Sequence, residues 1–284
     1  MLAIFGPAGN SKSFTEMGYK HSLQVPEYLE KMGLNAFEYQ CGRGVNIGLD
    51  KAQQLGLKAK EKRITLSLHA PYYISMSSVD KEKRLNSVNY ILNSARAVNA
   101  MGGNRIVVHT GSCGKISREE ALRLALDTMS IALKALDENG LGNVHICPET
   151  MGKINQLGTL SEVIALCELD ERLIPCIDFG HLNARTGGGL KNIEDFEYIF
   201  NEIENRLGEY RLRNFHSHFS KIEYTVGGEK KHLTFEDDVF GPDFEPVMEL
   251  IYKKSCSPTI ICESDGTQAE DARTMKLYYE GLCK

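Results

Sequence analysis

Six residues of the kind that bind metal ions punctuate this chain of 284 residues: His69, His109, Glu149, Asp178, His216 and Glu263. Each stands at or near the end of a short apolar run. A single histidine in such a run is ordinarily a hydrogen-bonded core residue, and a single carboxylate there is ordinarily a cap or an ion pair. A series of six is different if the fold gathers those ends around one axis. Three carboxylates in one water-poor mouth repel each other unless cations neutralise them. The donors are imidazoles and carboxylates, with no thiolates at ligand spacing, a set that suits zinc, manganese or iron better than magnesium or calcium. Six such donors exceed the needs of one tetrahedral zinc and suit two ions sharing a carboxylate. Two ions roughly 3.5–4 Å apart stabilise both the attacking and the leaving oxygen of a phosphoryl displacement.

Spacing extends the set. His181 follows Asp178 by three residues, and His232 falls in the connection after the seventh run. His216 and His218 differ by two, so both face one side of a strand. His145 has the opposite parity to Glu149 and should face away; it and His21 read as structural or surface residues.

The elements that must position these side chains follow from the apolar pattern. Eight short runs read as strands buried on both faces: Leu2–Phe5, Ala36–Cys41, Thr65–His69, Arg105–His109, Asn143–Glu149, Ile174–Asp178, Asn214–Phe219 and Thr259–Glu263. Helical periods separate them. One runs from Asp80 to Gly102, and another from Ser117 to Gly140. Later helices follow the cap signatures at Thr159–Glu162 and Thr267–Glu270, and the rest fall near 23–32, 47–60, 192–204 and 243–252. Eight strands alternating with eight helices predict a single-domain (β/α)8 barrel, with a doubly wound open sheet as the rival. The barrel places the six ligands at the C-terminal strand ends, where such folds build their active sites. The one long connection, Ser220 to Asp243, is expected to be functional.

Composition narrows the function classes. With 33 Lys and Arg against 38 Asp and Glu, the net charge is -5, which argues against coating nucleic acid non-specifically. Two divalent ions would bring that charge to about -1 (-5 + 4), favouring approach of a phosphodiester. No apolar stretch approaches the ~18 residues of a membrane span. A secretory leader is not evident, so a cytoplasmic protein with reduced cysteines is expected, and a monomer.

The strand-end segments Leu-His69-Ala-Pro-Tyr72, Val-His109-Thr-Gly-Ser, Pro-Glu149-Thr, Ile-Asp178-Phe-Gly-His181, His216-Ser-His-Phe-Ser-Lys221, Lys-His232 and Cys-Glu263-Ser together resemble the endonuclease IV family of apurinic/apyrimidinic endonucleases, within the xylose-isomerase-like barrels. The resemblance spans nearly the whole chain. It implies a trinuclear zinc enzyme that cuts duplex DNA 5′ to an abasic site. By position it implies His69, His109 and Glu149 for a first zinc. Glu149, Asp178, His216 and Glu263 would hold a second, with Glu149 bridging, and His181 and His232 a third. The family's third site also has an Asp two residues before its loop histidine, where this chain has Lys230; either the third ion is absent or Glu229, Asp237 or Asp238 replaces that Asp. Tyr72 matches a residue with which the family probes DNA, whereas the loop after strand two, Gln40-Cys-Gly-Arg43-Gly, departs from the family and offers Arg43 alone as a long cation.

Under this reading, metals activate water, Glu149 or Glu263 orients or deprotonates it, and cleavage is hydrolytic. Lys12, Arg43, Lys115, Lys153, Lys221, Lys230 and Lys231 fall in loops on the same side, and Arg185 opens a triple-glycine turn. Arg43, Lys221 and Arg185 are foremost among candidates for backbone contacts. The competing reading is a sugar isomerase or epimerase with one metal held by Glu149, Asp178, His216 and Glu263, two glutamates serving as acid and base. His69 and His109 would have no ligand role there. A non-catalytic relative is the third alternative.

Overall fold

Short β-branched and apolar segments pair as the staves of one barrel in the computed structural model, which describes residues 2–284. The strands are β1 (Ile4–Pro7), β2 (Ala36–Gln40), β3 (Thr65–His69), β4 (Arg105–Val108), β5 (His145–Pro148), β6 (Cys176–Asp178), β7 (His216–Phe219), β8 (Ile222–Thr225), β9 (Gly228–His232) and β10 (Thr259–Cys262). Parallel pairing joins β2-β3-β4-β5 in one group and β1-β10-β7-β6 in the other. Single parallel bridges, Ala8 to Glu38 and Glu149 to Cys176, close the two seams. The result is an eight-stranded parallel barrel, as the alternation predicts. Its strands are almost wholly buried, which is why they read as unbroken apolar runs. The remaining pair, β8 and β9, forms an antiparallel hairpin where the sequence suggests an irregular loop.

The helices are α1 (Lys12–Glu16), α2 (Val25–Met32), α3 (Leu49–Glu61), α4 (Lys81–Ala100), α5 (Arg118–Glu138), α6 (Leu160–Cys167), α7 (Phe179–Arg185), α8 (Ile193–Leu207), α9 (Glu209–Arg213), α10 (Glu245–Lys253) and α11 (Gln268–Leu282). Eight lie where periodicity places them, while α1, α7 and α9 are short additions. The cap signatures are realised unequally. Thr159 and Glu162 form the full reciprocal box before α6. Ser117 accepts from the Glu120 amide, but the Glu120 carboxylate turns to Arg123. The Thr267 hydroxyl donates to Asp271 and does not cap α11. Seven of the eight cysteines are buried and all eight are free thiols, as expected of small apolar side chains. No helix among the described residues is long and apolar enough to cross a membrane.

Candidate metal centre

At the C-terminal ends of the staves the ionisable side chains converge. His69 ends β3, His109 follows β4, and both point an Nε2 at the same oxygen of Glu149, which follows β5: the distances are 3.4 and 3.2 Å. Glu149, Asp178, His218 and Glu263 form a second group, and His181, Glu229 and His232 a third; within each, donor atoms lie within 4.8 Å of one another. Glu149 belongs to the first two. Helix α7 makes the third possible. Asp178 caps it, accepting from the His181 amide at 2.7 Å, so the helix begins at a member of the second donor group and swings His181 back over the barrel mouth. The hairpin supplies the other two members from β9.

The proton inventory of these groups calls for cations. His69 Nδ1 lies 2.7 Å from the Ala70 carbonyl, which only accepts, so Nδ1 carries the proton and the Nε2 lone pair faces Glu149. His181 repeats the arrangement, with Nδ1 2.9 Å from the Thr150 carbonyl and Nε2 3.4 Å from Glu229. His218 lies between carboxylates, Nε2 2.9 Å from Glu38 and Nδ1 2.9 Å from Glu149. A neutral imidazole has one proton for these two acceptors. Against its own burial, Cys176, Glu263, Glu38 and Glu149 raise the His218 pKa well above the ordinary value, so the metal-free ring takes up a second. Asp178 Oδ2 is fully buried with no hydrogen-bond partner. With the imidazoles neutral, lone pairs face lone pairs and one carboxylate oxygen is orphaned. The places between them call for positive charge, from protons in the metal-free chain or from metal ions, and they fit a set of metal ligands.

The electrostatics carry the same signature. Burial disfavours charge on Glu149, yet His218, His109 and His69 hold its carboxyl well below the usual range. Burial pushes Asp178 up to about 6, with Glu263 and Glu149 adding repulsion and His181 opposing it. His181 rises to about 9 against its own burial because Asp178, Glu149 and Glu229 surround it.

The site corrects one ligand assignment. The strand-seven histidine of the second group is His218, not His216. The two share a face of β7 but not a depth: His218 pairs in register with Asp178, whereas His216 pairs with Cys176, two residues further down the barrel. His216 donates to Glu38 at 2.9 Å, and burial lowers its pKa to about 4. Cys176, His216 and His218 also approach one another, but burial raises the Cys176 thiol well above its usual range, leaving it a poor ligand. Glu38, fully buried on β2, escapes sequence reasoning. It accepts from His216 and the Ser67 hydroxyl, each at 2.9 Å, and lies 2.9 Å from His218 Nε2 without the geometry of a hydrogen bond. A carboxylate in the middle of a strand buried on both faces is the available signal. At the third group Glu229 stands in for the missing Asp, while Lys230 turns away to Glu223.

A cavity of about 380 Å³ opens over the three groups, lined by His69, Tyr72, His109, Glu149, Lys153, Gln156, His181, Glu229, His232 and Glu263. Tyr72 is 55% exposed, and its ring centroid lies 5.1 Å from that of His69 and 5.4 Å from that of His109. Of the expected backbone contacts, Arg43 is exposed in the adjacent loop but does not line the cavity. Two others are corrected. The Arg185 guanidinium donates to the carbonyls of Met151, Ile154, Lys153 and Gln156. Lys221 donates to the Asp237 carbonyl and lies 3.5 Å from Asp243. Both ends are occupied in holding loops. The amides of the glycine turn are spent as well: Gly188 donates to Asn183 and Gly189 to Thr186. His145, as expected, faces away from the mouth, with Nδ1 2.9 Å from the Arg172 carbonyl.

Comparison with known proteins agrees with this architecture. Residues 26–278 match the family described as xylose isomerase-like TIM barrel. An uncharacterized protein of Methanocaldococcus jannaschii is 32% identical over 280 residues, covering 99% of this chain and 98% of its own. A probable endonuclease 4 of Acholeplasma laidlawii is 28% identical over 214 residues, 72% of this chain and 69% of its own. Among solved structures, a 3-keto-D-glucoside 4-epimerase from E. coli superposes with a TM-score of 0.69 at 15% identity, covering 98% and 99% of the two chains. Endonuclease IV from Thermus thermophilus gives 0.66 at 17%, with the same coverage. At such identities these two likenesses speak to the fold alone.

Proposed function

The chain belongs to the xylose isomerase-like TIM-barrel family, and within it we propose a metal-dependent phosphodiester hydrolase that cuts duplex DNA 5′ to abasic sites. One observation carries this reading: three donor groups surround one cavity, two of them sharing Glu149. The similarity to a probable endonuclease 4 supports it. His69, His109 and Glu149 would hold one ion, Glu149, Asp178, His218 and Glu263 a second, and His181, Glu229 and His232 a third. Zinc suits this donor set, with manganese or iron as alternatives. Divalent ions in such a cluster polarise phosphoryl oxygens and lower the pKa of water. Glu263, less deeply buried than Glu149 or Asp178, orients the attacking water and takes its proton. Tyr72 offers a flat wall to a sugar that has no base. The cavity's 380 Å³ is at the small end for ligand sites. It accommodates a single nucleotide unit, so the abasic residue must turn out of the helix to reach it.

A second reading, a sugar epimerase with one metal, is favoured by the Glu149–Asp178–His218–Glu263 group taken alone and by the fold's likeness to epimerases. Elemental analysis of the purified protein, followed by assay of a duplex with one abasic analogue, separates the two. Two or three ions per chain and a single 5′ nick are expected. One ion, no nick and turnover of a ketose would establish the epimerase. His109→Ala should abolish nicking, because it strips the first group to two donors. Full nicking in that variant would refute the ligand assignment.

A further inference from the structure

The connection Thr150–Gly158 between β5 and α6 is held far more tightly than its exposure suggests. Arg185 gathers four of its carbonyls, from Met151, Lys153, Ile154 and Gln156. From the other side Arg118 donates to Ile154 at 2.9 Å and Gln156 at 2.7 Å, while pairing with Glu162. Two guanidinium groups thus fix the backbone of one short loop. Its opposite edge is joined to the hairpin: the Glu229 amide donates to Gly152 at 3.2 Å and the Ile154 amide to Gly227 at 3.1 Å. Only glycine fits at the junction. A Cβ at Gly152 would lie 2.5 Å from the Glu229 Cβ and 2.9 Å from His181 Cδ2. One at Gly228 would lie 2.2 Å from the Gly152 carbonyl. Lys153 therefore leaves the loop beside the third donor group, from a backbone that cannot drift away.

Lys153 is the only lysine or arginine among the described residues lining the cavity. Its neighbours on the hairpin and the following loop are already paired, Lys230 and Lys231 with Glu223 and Lys221 with Asp243. Lys153 has no carboxylate within ion-pair distance among the described residues. Beside it the half-buried Gln156 also lines the cavity, and its Oε1, itself shielded from solvent, has no hydrogen-bond partner. Turning that amide over exchanges its oxygen for its NH2 in the same place, which makes the unspent end a donor. A free ammonium and an unspent amide on a braced loop suit an anion with several oxygens. A neutral sugar would leave the ammonium without a counter-charge.

We propose that Lys153 and Gln156 form the binding site for a phosphate group of the substrate, the ammonium meeting a non-bridging oxygen and the amide a second one. The inference rests on the reading of this cavity as one that receives a phosphate-bearing substrate. Lysine serves such sites as a point charge. Arg185 and Arg118 act through the loop as positioning residues.

The test uses the metal-loaded protein and two probes, inorganic phosphate and a duplex with one abasic analogue. Lys153→Met keeps the length of the side chain without its charge, and its exposed position leaves the fold undisturbed. We expect about tenfold weaker phosphate binding and a KM for nicking raised about tenfold with kcat less affected. The slope of log affinity against log salt should fall by about one, as for loss of one phosphate contact. Metal content should be unchanged, and Lys153→Arg should restore most of the affinity. Unchanged phosphate affinity and unchanged KM in Lys153→Met would overturn the site, as would loss of metal from that variant, which would assign Lys153 to the donor group instead. If phosphate binding depends on Lys153 but no abasic duplex is cut, the phosphate site stands and the DNA reading falls. If the duplex is cut equally well without Lys153, the DNA reading stands and the phosphate site falls.

Discussion

The two ends of the barrel are built to opposite rules. At the C-terminal end, a cavity of about 380 Å³ is walled almost entirely by groups that carry or accept protons. Near the other end, a larger groove of about 640 Å³ runs between α3 and α4, past Gly56, Leu57, Lys60, Met101 and Gly103. The groove has room and two cations, Lys60 and Arg63, but no carboxylate or imidazole among its lining residues. Beside it, Arg105 spans the barrel floor from β4, donating to the carbonyls of Asn214 and Phe215 and to Thr259. Every strong acceptor it meets is matched by a donor. The mouth has more acceptors than protons, and that surplus, not volume, marks where a charged ligand belongs.

The sharpest way to break this comparison is to remove a source of the surplus. Burial and neighbouring carboxylates hold Asp178 at about 6 in the folded chain without metal, against about 3.9 when unfolded. Between about pH 4 and 6 the unfolded chain releases this proton first, so the metal-free fold loses stability as pH rises through that window. Above it the loss is complete, offset in part by the His181 cation that the ionised Asp178 helps to hold. Asp178→Asn should therefore abolish nicking and second-site metal while making the metal-free protein more stable at pH 7, with no gain at pH 4. Denaturant melts at the two pH values check this. If the variant is no more stable at pH 7, the mouth stores no repulsion and the comparison fails.

The next effect lies one layer beneath. Glu38 touches no proposed ligand atom of the cavity, but its carboxylate lies 2.9 Å from the far nitrogen of His218 as a charge partner, while Nδ1 faces Glu149 and Glu263. Partners of this kind tune ligands, and their loss costs ~10–100-fold in metal affinity. Glu38→Gln should weaken metal binding by about that factor in competition with a chromogenic chelator, before any assay of activity. Unaltered affinity would mean that His218 is held by packing alone.

These two residues also show what the chain discloses before it folds. The convergence of Asp178, His69, His109, Glu149 and Glu263 is legible, because a metal-type donor at the end of an apolar run is visible once the run is read as a barrel strand. Alternation along a strand gives the face but not the depth, so it points to His216 where the donor group contains His218. Depth is set by the stagger of neighbouring staves, here Cys176 beside His216 and Asp178 beside His218. Glu38 lies mid-strand, where attention to strand ends does not reach. The hairpin β8–β9 is hidden because its lysines and glutamates read as a solvated loop, and only its pairing brings Glu229 beside His181. Cations are the least legible of all. Arg185 and Lys221 carry the charge that a phosphate contact needs, but whether a guanidinium meets solvent or four backbone carbonyls depends on loops that only the fold brings together.

The smallest effect is expected at the floor, where it tests whether the two ends are independent. Arg105→Met keeps most of the apolar stem and removes the donors, leaving the carbonyls of Asn214 and Phe215 without their partner. Half-buried acceptors that lose a charged donor cost about 1–2 kcal/mol, or a few degrees in a protein of this size. Thermal melts should fall by that amount. Metal stoichiometry and chelator competition should match the unaltered protein, because β4 and β5 are anchored to their neighbours by register and not by Arg105. Should metal affinity fall as well, the staves transmit strain from floor to mouth. The two ends would then be one mechanical unit, and the contrast between them would be one of chemistry only.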